Sequence, residues 1–255
     1  MSTMTIPREP HILLGILKEE MEIKLKGGLY HQTQIKFAYN SNRIEGNRLS
    51  EEQTRYIFET NTIGAGENGA TNVDDIIETV NHFTCFDYMI SHSTDALTEN
   101  LFCEYHRILK SGTSDTRKDW FNVGKYKARP NVVGDMKTTP PTEVSDEIKR
   151  LLTAYYHKKT ITFNDIIWFH YEFERIHPFQ DGNGRVGRII LFKECLVNNI
   201  VPFIIDHSHK MYYYRGLREW INETGFLLDI CRSAQDNYMK LVDYFYPEVC
   251  ANDDR

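Results

Sequence analysis

His177-Pro178-Phe179-Gln180-Asp181-Gly182-Asn183-Gly184-Arg185-Val186-Gly187-Arg188 gathers an imidazole, a carboxylate, a glycine turn and two guanidinium groups into twelve residues. Immediately upstream, Phe163, Ile166, Ile167, His170 and Phe173 recur at helical spacing. Pro178 should stop that helix, because the residue before a proline is pushed out of the α region. His177 therefore stands where the helix gives out. Downstream, Ile189, Ile190, Phe192 and Leu196 resume a helical stripe, so Gly182-Asn183-Gly184 reads as the turn feeding a new helix. Such an N-terminus presents unpaired N–H groups and the positive end of the helix dipole, a natural seat for an anion.

Working outward, helical periodicity governs most of the 255 residues, as in Ile12, Leu13, Ile16, Leu17 and again in Ile76, Ile77, Val80, Phe83. The expected class is all-α. Ser50 with Gln53 forms a capping-box pattern, and Thr162 with Asp165 is a second helix start. Two stretches break the pattern. Gly64 to Asn72 reads as a surface loop joining an N-terminal helical region (1–70) to the main body (71–255). Between about 120 and 141, Tyr126, Val132 and Val133 among Gly124, Pro130, Gly134, Pro140 and Pro141 suggest a short β-hairpin. Two strands alone are marginal in water, so the hairpin must lean on the helices or on a ligand; it reads equally as a flap or as a structured loop without a role.

Composition narrows the partners. The formal charge is −6, from 30 basic and 36 acidic side chains, which excludes a generally basic nucleic-acid binder. Hydrophobic residues make up 41% and aromatics 13%, enough for a large core and too much for a disordered chain. No apolar run approaches the roughly 18 to 20 residues of a membrane helix. MSTMTIPREPHILLGIL lacks the features of a signal peptide, and a cytoplasmic location is expected. Cys85, Cys103, Cys195, Cys231 and Cys250 are odd in number and widely spaced, fitting reduced core residues rather than disulfides or a zinc site.

The chemistry follows from the quoted segment. Arg185 and Arg188 beside a helix N-terminus favour a polyphosphate, since guanidinium forks match phosphate oxygens. Asp181 can hold Mg²⁺ against it, because magnesium commonly takes one or two carboxylates plus substrate phosphates. His177 is a candidate general base. Gly182, Gly184 and Gly187 also satisfy G-x-G-x-x-G, which raises a nicotinamide-dependent oxidoreductase as an alternative; the helix-periodic segment before them, where a dinucleotide fold needs a buried strand, argues against it.

The twelve residues match without departure the pattern HPFx(D/E)GNG(K/R)xxR, and on them the chain resembles the Fic (filamentation induced by cyclic AMP) family. The resemblance extends from about Thr98 to about Glu248 and implies a Fic-type helical bundle with a hairpin flap. It implies transfer of AMP from ATP to a hydroxyl of a target protein, with Mg²⁺ as cofactor and Mn²⁺ left open. In that light His177 would deprotonate the target Ser, Thr or Tyr, and Asp181 would bind the metal. The segment Gly182, Asn183, Gly184, Arg185, Val186, Gly187 and Arg188 would hold the nucleotide, Asn131, Val132, Val133 and Gly134 would form the flap, and Tyr213 and Tyr214 would border the adenine. Asn222 lies one residue from the position of an adenine-facing Asn in relatives. The intact glycine turn and the last arginine favour AMP over phosphate as the transferred group.

Ser41 and Glu45, in Ser41-Asn42-Arg43-Ile44-Glu45-Gly46-Asn47, share one helix face, and Gly46 is placed to end that helix. A glutamate in the last turn faces the negative dipole end and calls for a nearby arginine, unless it is simply solvated. The stretch also resembles the inhibitory helix of Fic proteins, (S/T)xxxE(G/N), here at about 33–46. That resemblance implies that Glu45 pairs with Arg188 in place of the ATP γ-phosphate, an autoinhibited state. In some relatives the same glutamate serves removal of AMP, and relatives with such a brake often dimerise, so a reverse reaction and a homodimer are left open. A non-enzymatic nucleotide sensor is the remaining alternative.

Overall fold

The computed structural model describes residues 12–64, 70–134 and 136–250. Residues 1–11 of the segment considered for a signal peptide, the middle of the Gly64–Asn72 loop and the Cys250 side chain lie outside the described residues. The helices are α1 (Ile12–Glu22), α2 (Leu29–Ile44), α3 (Glu51–Thr60), α4 (Val73–Ser91), α5 (Glu99–Lys110), α6 (Val144–Tyr156), α7 (Phe163–Ile176), α8 (Asn183–Val197), α9 (Lys210–Glu219), α10 (Gly225–Phe245) and α11 (Pro247–Cys250). Among the described residues the one sheet is a hairpin of β1 (Val132–Val133) and β2 (Met136–Lys137), antiparallel with Val132 opposite Lys137 and Val133 opposite Met136. The all-α expectation holds. The hairpin is far shorter than the 120–141 span allows, because residues before it run over the surface in turns.

Helix α8 is the axis of the molecule, with every residue from Asn183 to Leu196 buried. A helix buried on all sides packs against neighbours all round. One side carries Val186, Ile189, Ile190 and Phe192 into a core shared with Leu13, Leu17 and Phe37 of α1 and α2, Phe86 of α4, Phe102 of α5 and Phe173 of α7. The other carries Leu191 and Cys195 into a second core with Ile167, Phe203, Tyr213 and Leu227. The N-terminal helices thus share the principal core. Cys85, Cys195 and Cys231 are buried and free, as expected for apolar fillers.

Local signals do what their chemistry dictates. Ser50 and Gln53 close a full capping box on α3, and Thr162 and Asp165 close one on α7. Gly46, at φ 101°, ends α2 in a left-handed cap: its N–H bonds to Arg43 O at 3.2 Å and the Asn47 N–H to Asn42 O at 3.0 Å. That cap leaves Glu45 as the last residue of the helical turn. Val201 to Ile205, strand-like in sequence, forms no strand, and α7 occupies the place where a dinucleotide fold would need one. The oxidoreductase alternative is thereby overturned.

Candidate active site

His177 terminates α7 in the left-handed region, φ 53° and ψ 63°, its N–H still bonded to Phe173 O at 2.9 Å. A non-glycine residue held there is strained, and such strain concentrates at functional sites. Pro178 follows, and the imidazole lies near enough to Lys127, Glu45 and Asp181 to feel their charges. Its Nδ1 is buried without a partner. Burial, then the nearby Lys127 ammonium, holds its pKa down to about 4 against the Glu174 carbonyl and the carboxylates of Glu45 and Asp181. At neutral pH the ring is uncharged, the state that accepts a proton.

Asn183 locks the loop. Its Oδ1 accepts from Phe179 N–H at 2.7 Å and its Nδ2 donates to Phe179 O at 2.9 Å. Gly182 takes φ 79° so that α8 can start without a side chain in the turn. His106 of α5 stacks on Phe179 at 4.1 Å between ring centroids, nearly parallel. Its Nδ1 accepts from Gly124 N–H at 2.9 Å, which leaves Nε2–H to donate to Asp181 O at 3.2 Å. The flap leans on the same loop: Lys127 N–H donates to Pro178 O at 2.9 Å, and Asn131 Nδ2 to Phe179 O at 3.1 Å and Gln180 O at 3.4 Å. Lys127 Nζ in turn reaches Asn131 Oδ1 at 2.8 Å and Thr138 Oγ1 at 2.6 Å. The strand faces of Val132 and Val133 stay open, 64% and 40% exposed, beside that anchor.

The anion seat at the start of α8 is filled by the chain itself. Arg188 is buried, and its Nη2 donates to Glu45 Oε1 at 2.7 Å and to Ser41 O at 2.9 Å, while its Nε donates to Ser41 Oγ at 3.0 Å. A β-carbon at Gly184 would collide with Glu45 Oε1, so the carboxylate lies directly over the first turn of α8. Both the dipole end and the guanidinium favour it there. Glu45, at the unfavourable end of its own helix, has found the cation its position demanded.

The other residues named from the resemblance have the following surroundings. Arg185 turns inward to Glu78 Oε2 at 2.7 Å and Asp181 Oδ2 at 3.3 Å. Val186 is a core residue. Gly187 faces α7, where a β-carbon would come within 2.5 Å of Glu174 Oε1. Tyr213 is 1% exposed with its hydroxyl on His170 Nε2 at 2.7 Å, so it offers no surface to an adenine, whereas half-buried Tyr214 reaches Ile44 O at 3.2 Å. Helical rotation decides these cases, since residues next to each other on a helix diverge by about 100°. Asn222, exposed, bonds through its N–H to Glu219 O at 2.9 Å. Sequence reading missed His106, Lys110, Glu78, Lys127 and Glu174; only the i, i+4 spacing of His106 and Lys110 hinted at a shared face.

Asp181 suits a magnesium site of the open kind. Its side chain is 48% exposed, both cations that reach it converge on Oδ2, and Arg185 and Lys110 hold its pKa well below the usual carboxylate range against the partial loss of solvent around it. Among the described residues no group of three or more His, Cys, Asp or Glu could hold a metal. One oxygen from protein with the rest from phosphate and water is the pattern magnesium accepts.

Burial also predicts acid sensitivity. His82, His106 and His170 are held down to about 3 and His177 to about 4, in each case mainly by desolvation. A histidine kept neutral in the fold takes up protons more readily when unfolded, so its contribution is present above about pH 6.5 and is lost as pH falls toward its folded value. Each removes up to about 1.4 kcal/mol per pH unit in that window. Glu174, pushed up to about 8 mainly by burial, acts in the opposite sense between its two values, as do Asp75 and Asp87, which burial also raises. The melting temperature is expected to drop steeply between pH 6.5 and 4.5; a flat profile in calorimetry would contradict this.

The all-helical bundle thus presents a strained histidine, a clamped glycine turn and two buried arginines around the first two turns of one buried helix. Residues 96–194 match the model of the Fic/DOC family. It is similar to protein adenylyltransferase fic-1 of Caenorhabditis elegans, 25% identical over 197 residues, 74% of this chain and 37% of that protein. It is also similar to protein adenylyltransferase Fic of Aedes aegypti, 26% identical over 193 residues, 73% of this chain and 37% of that protein. The chain thus spans well under half the length of these relatives. Solved structures share the fold: a Fic domain containing signaling protein from Bacteroides thetaiotaomicron (TM-score 0.68, 23% identity, 93% of this chain and 92% of that one) and Fic-1 residues 134–508 of C. elegans (TM-score 0.69, 17% identity, 92% and 72%). No described helix is long and apolar enough to cross a membrane.

Proposed function

We propose that the chain is a protein adenylyltransferase that moves AMP from ATP to a hydroxyl of a target protein, or of itself, and releases pyrophosphate. The observation that carries this is the unbroken motif folded as an anion seat at the start of α8, with a neutral imidazole poised beside it. In this reading the N–H groups of the α8 N-terminus and Arg188 bind the phosphates. His177 takes the proton of the incoming Ser, Thr or Tyr hydroxyl, and Asn183 and His106 keep the loop shaped. Mg²⁺, when bound, would neutralise phosphate charge from Asp181. The open edge of β1 supports docking of an extended target segment by strand addition, a mode that reads backbone more than side chains.

The Glu45–Arg188 pair supports a brake within the chain: while the carboxylate lies over Gly184, the γ-phosphate has no seat there. In the same reading that carboxylate, once freed, would orient water in the reverse reaction, removal of AMP. The test is intact-mass spectrometry of the Glu45→Gly protein, alone and with lysate, after incubation with α-labelled ATP. Gain of AMP on protein supports the proposal. Gain of phosphate alone, or ATP binding without any turnover, would replace it with a kinase-like or a sensing role.

Asn131 ties the flap to the loop, and its loss is expected to free the hairpin. In Asn131→Ala, amide exchange across β1 and β2 should quicken on the order of tenfold, the effect of losing one to two ordinary hydrogen bonds. Target labelling should fall while ATP binding holds. Unchanged exchange in a mass-spectrometric deuteration experiment would detach Asn131 from this role.

A further inference from the structure

Lys110, the last residue of α5, is 1% exposed, yet its ammonium reaches three carboxylates: Glu78 Oε1 at 2.8 Å, Asp115 Oδ2 at 2.7 Å and Asp181 Oδ2 at 2.7 Å. The first two need it least. Glu78 keeps Arg185 at 2.7 Å and Asp115 keeps Lys118 at 2.6 Å. Asp181 is the carboxylate assigned above to the divalent metal, and it lies 71 residues from Lys110 in sequence. A fixed, desolvated cation in contact with a metal ligand opposes the metal in two ways: it occupies a lone pair of the ligand, and it repels an incoming dication at short range in a medium of low dielectric.

We infer that Lys110 is a resident counter-ion that competes with the divalent metal for Asp181, so that the metal binds weakly alone and well only together with a polyphosphate. The polyphosphate supplies the negative charge that offsets Lys110 and Arg185, which makes metal and nucleotide binding mutually dependent. Between turnovers the ammonium holds Asp181 ionised and aimed at the loop. Lys110 is a positioning residue in this account; it touches neither ATP nor the target. The inference rests on Asp181 being the metal's protein ligand.

The probe is Mn²⁺, followed by the paramagnetic resonance of the free ion, on the full chain with and without ATP. Without ATP, Lys110→Met is expected to bind Mn²⁺ roughly tenfold more tightly than the native protein, within the usual range of such couplings. Lys110→Arg should stay near native, and adding Asp181→Asn to Lys110→Met should abolish the gain. Lys110→Met/Asp115→Asn removes one charge of each sign, leaves Glu78 and Asp181 their contact with Arg185, and should show the same gain if the single variant folds poorly. No tightening in either folded variant would overturn the inference, as would a gain that survives Asp181→Asn, which would mark an artificial site among the remaining acids. The underlying reading fails separately: Asp181→Asn in the native background would then leave Mn²⁺ binding in the presence of ATP unchanged.

Discussion

The Glu45→Gly protein is expected to transfer AMP at least about a hundredfold faster than the native chain, the scale of one charge-assisted contact made in the transition state. Arg188 is the reason. It is buried at the start of α8, with Ser41 Oγ and O at 3.0 and 2.9 Å and Glu45 Oε1 at 2.7 Å. Removing the carboxylate leaves Ser41 to hold the guanidinium in place and opens the position over Gly184 to a phosphate. A buried cation without a counter-ion is costly, about 3 kcal/mol or more. The variant should therefore melt below the native protein, and ATP should restore much of the difference. Initial rates of label incorporation and paired melting curves with and without ATP measure both effects. Equal rates in the two proteins would remove Glu45 from any regulatory role.

Replacing His177 by Ala in that released background should lower transfer by roughly 10²- to 10⁴-fold, the range for loss of a general base. ATP affinity should stay within a few-fold, because the phosphate seat is built from α8 rather than from the imidazole. The rate of the His177-bearing enzyme should be insensitive to pH from about 7 down toward the ring's value of about 4, where the base becomes protonated. Fold loss overlaps the lower part of that window, so rates are compared above pH 6. Loss of ATP binding together with turnover, by calorimetry, would reassign His177 from base to structural support.

Much of the site was legible one residue at a time. The end of α7 at His177, the start of α8 after the glycine turn, both capping boxes and the Gly46 cap all depend on neighbours within four or five residues, and each formed as its local chemistry required. The flap was legible only as a segment. Val132 and Val133 pair as expected, but the surrounding residues take their shape from bonds to Pro178, Phe179 and Gln180, about fifty residues away. The inward partners of Tyr213 and Arg185 were not legible, because a helix position carries no label for which side faces the core until partners pack against it.

By itself, then, the sequence determined an all-helical chain, a helix broken at His177, an anion-favouring turn and a glutamate left wanting a cation, since each follows from short-range sterics, dipoles and periodicity. Packing alone decided that α2 lies across the start of α8, so that the wanting glutamate meets Arg188, 143 residues on. Packing also decided that α4 and α5 deliver Glu78, His106 and Lys110 behind the loop. Buried charges choose partners by proximity in three dimensions, and which helices become neighbours is set by how their apolar faces fit together.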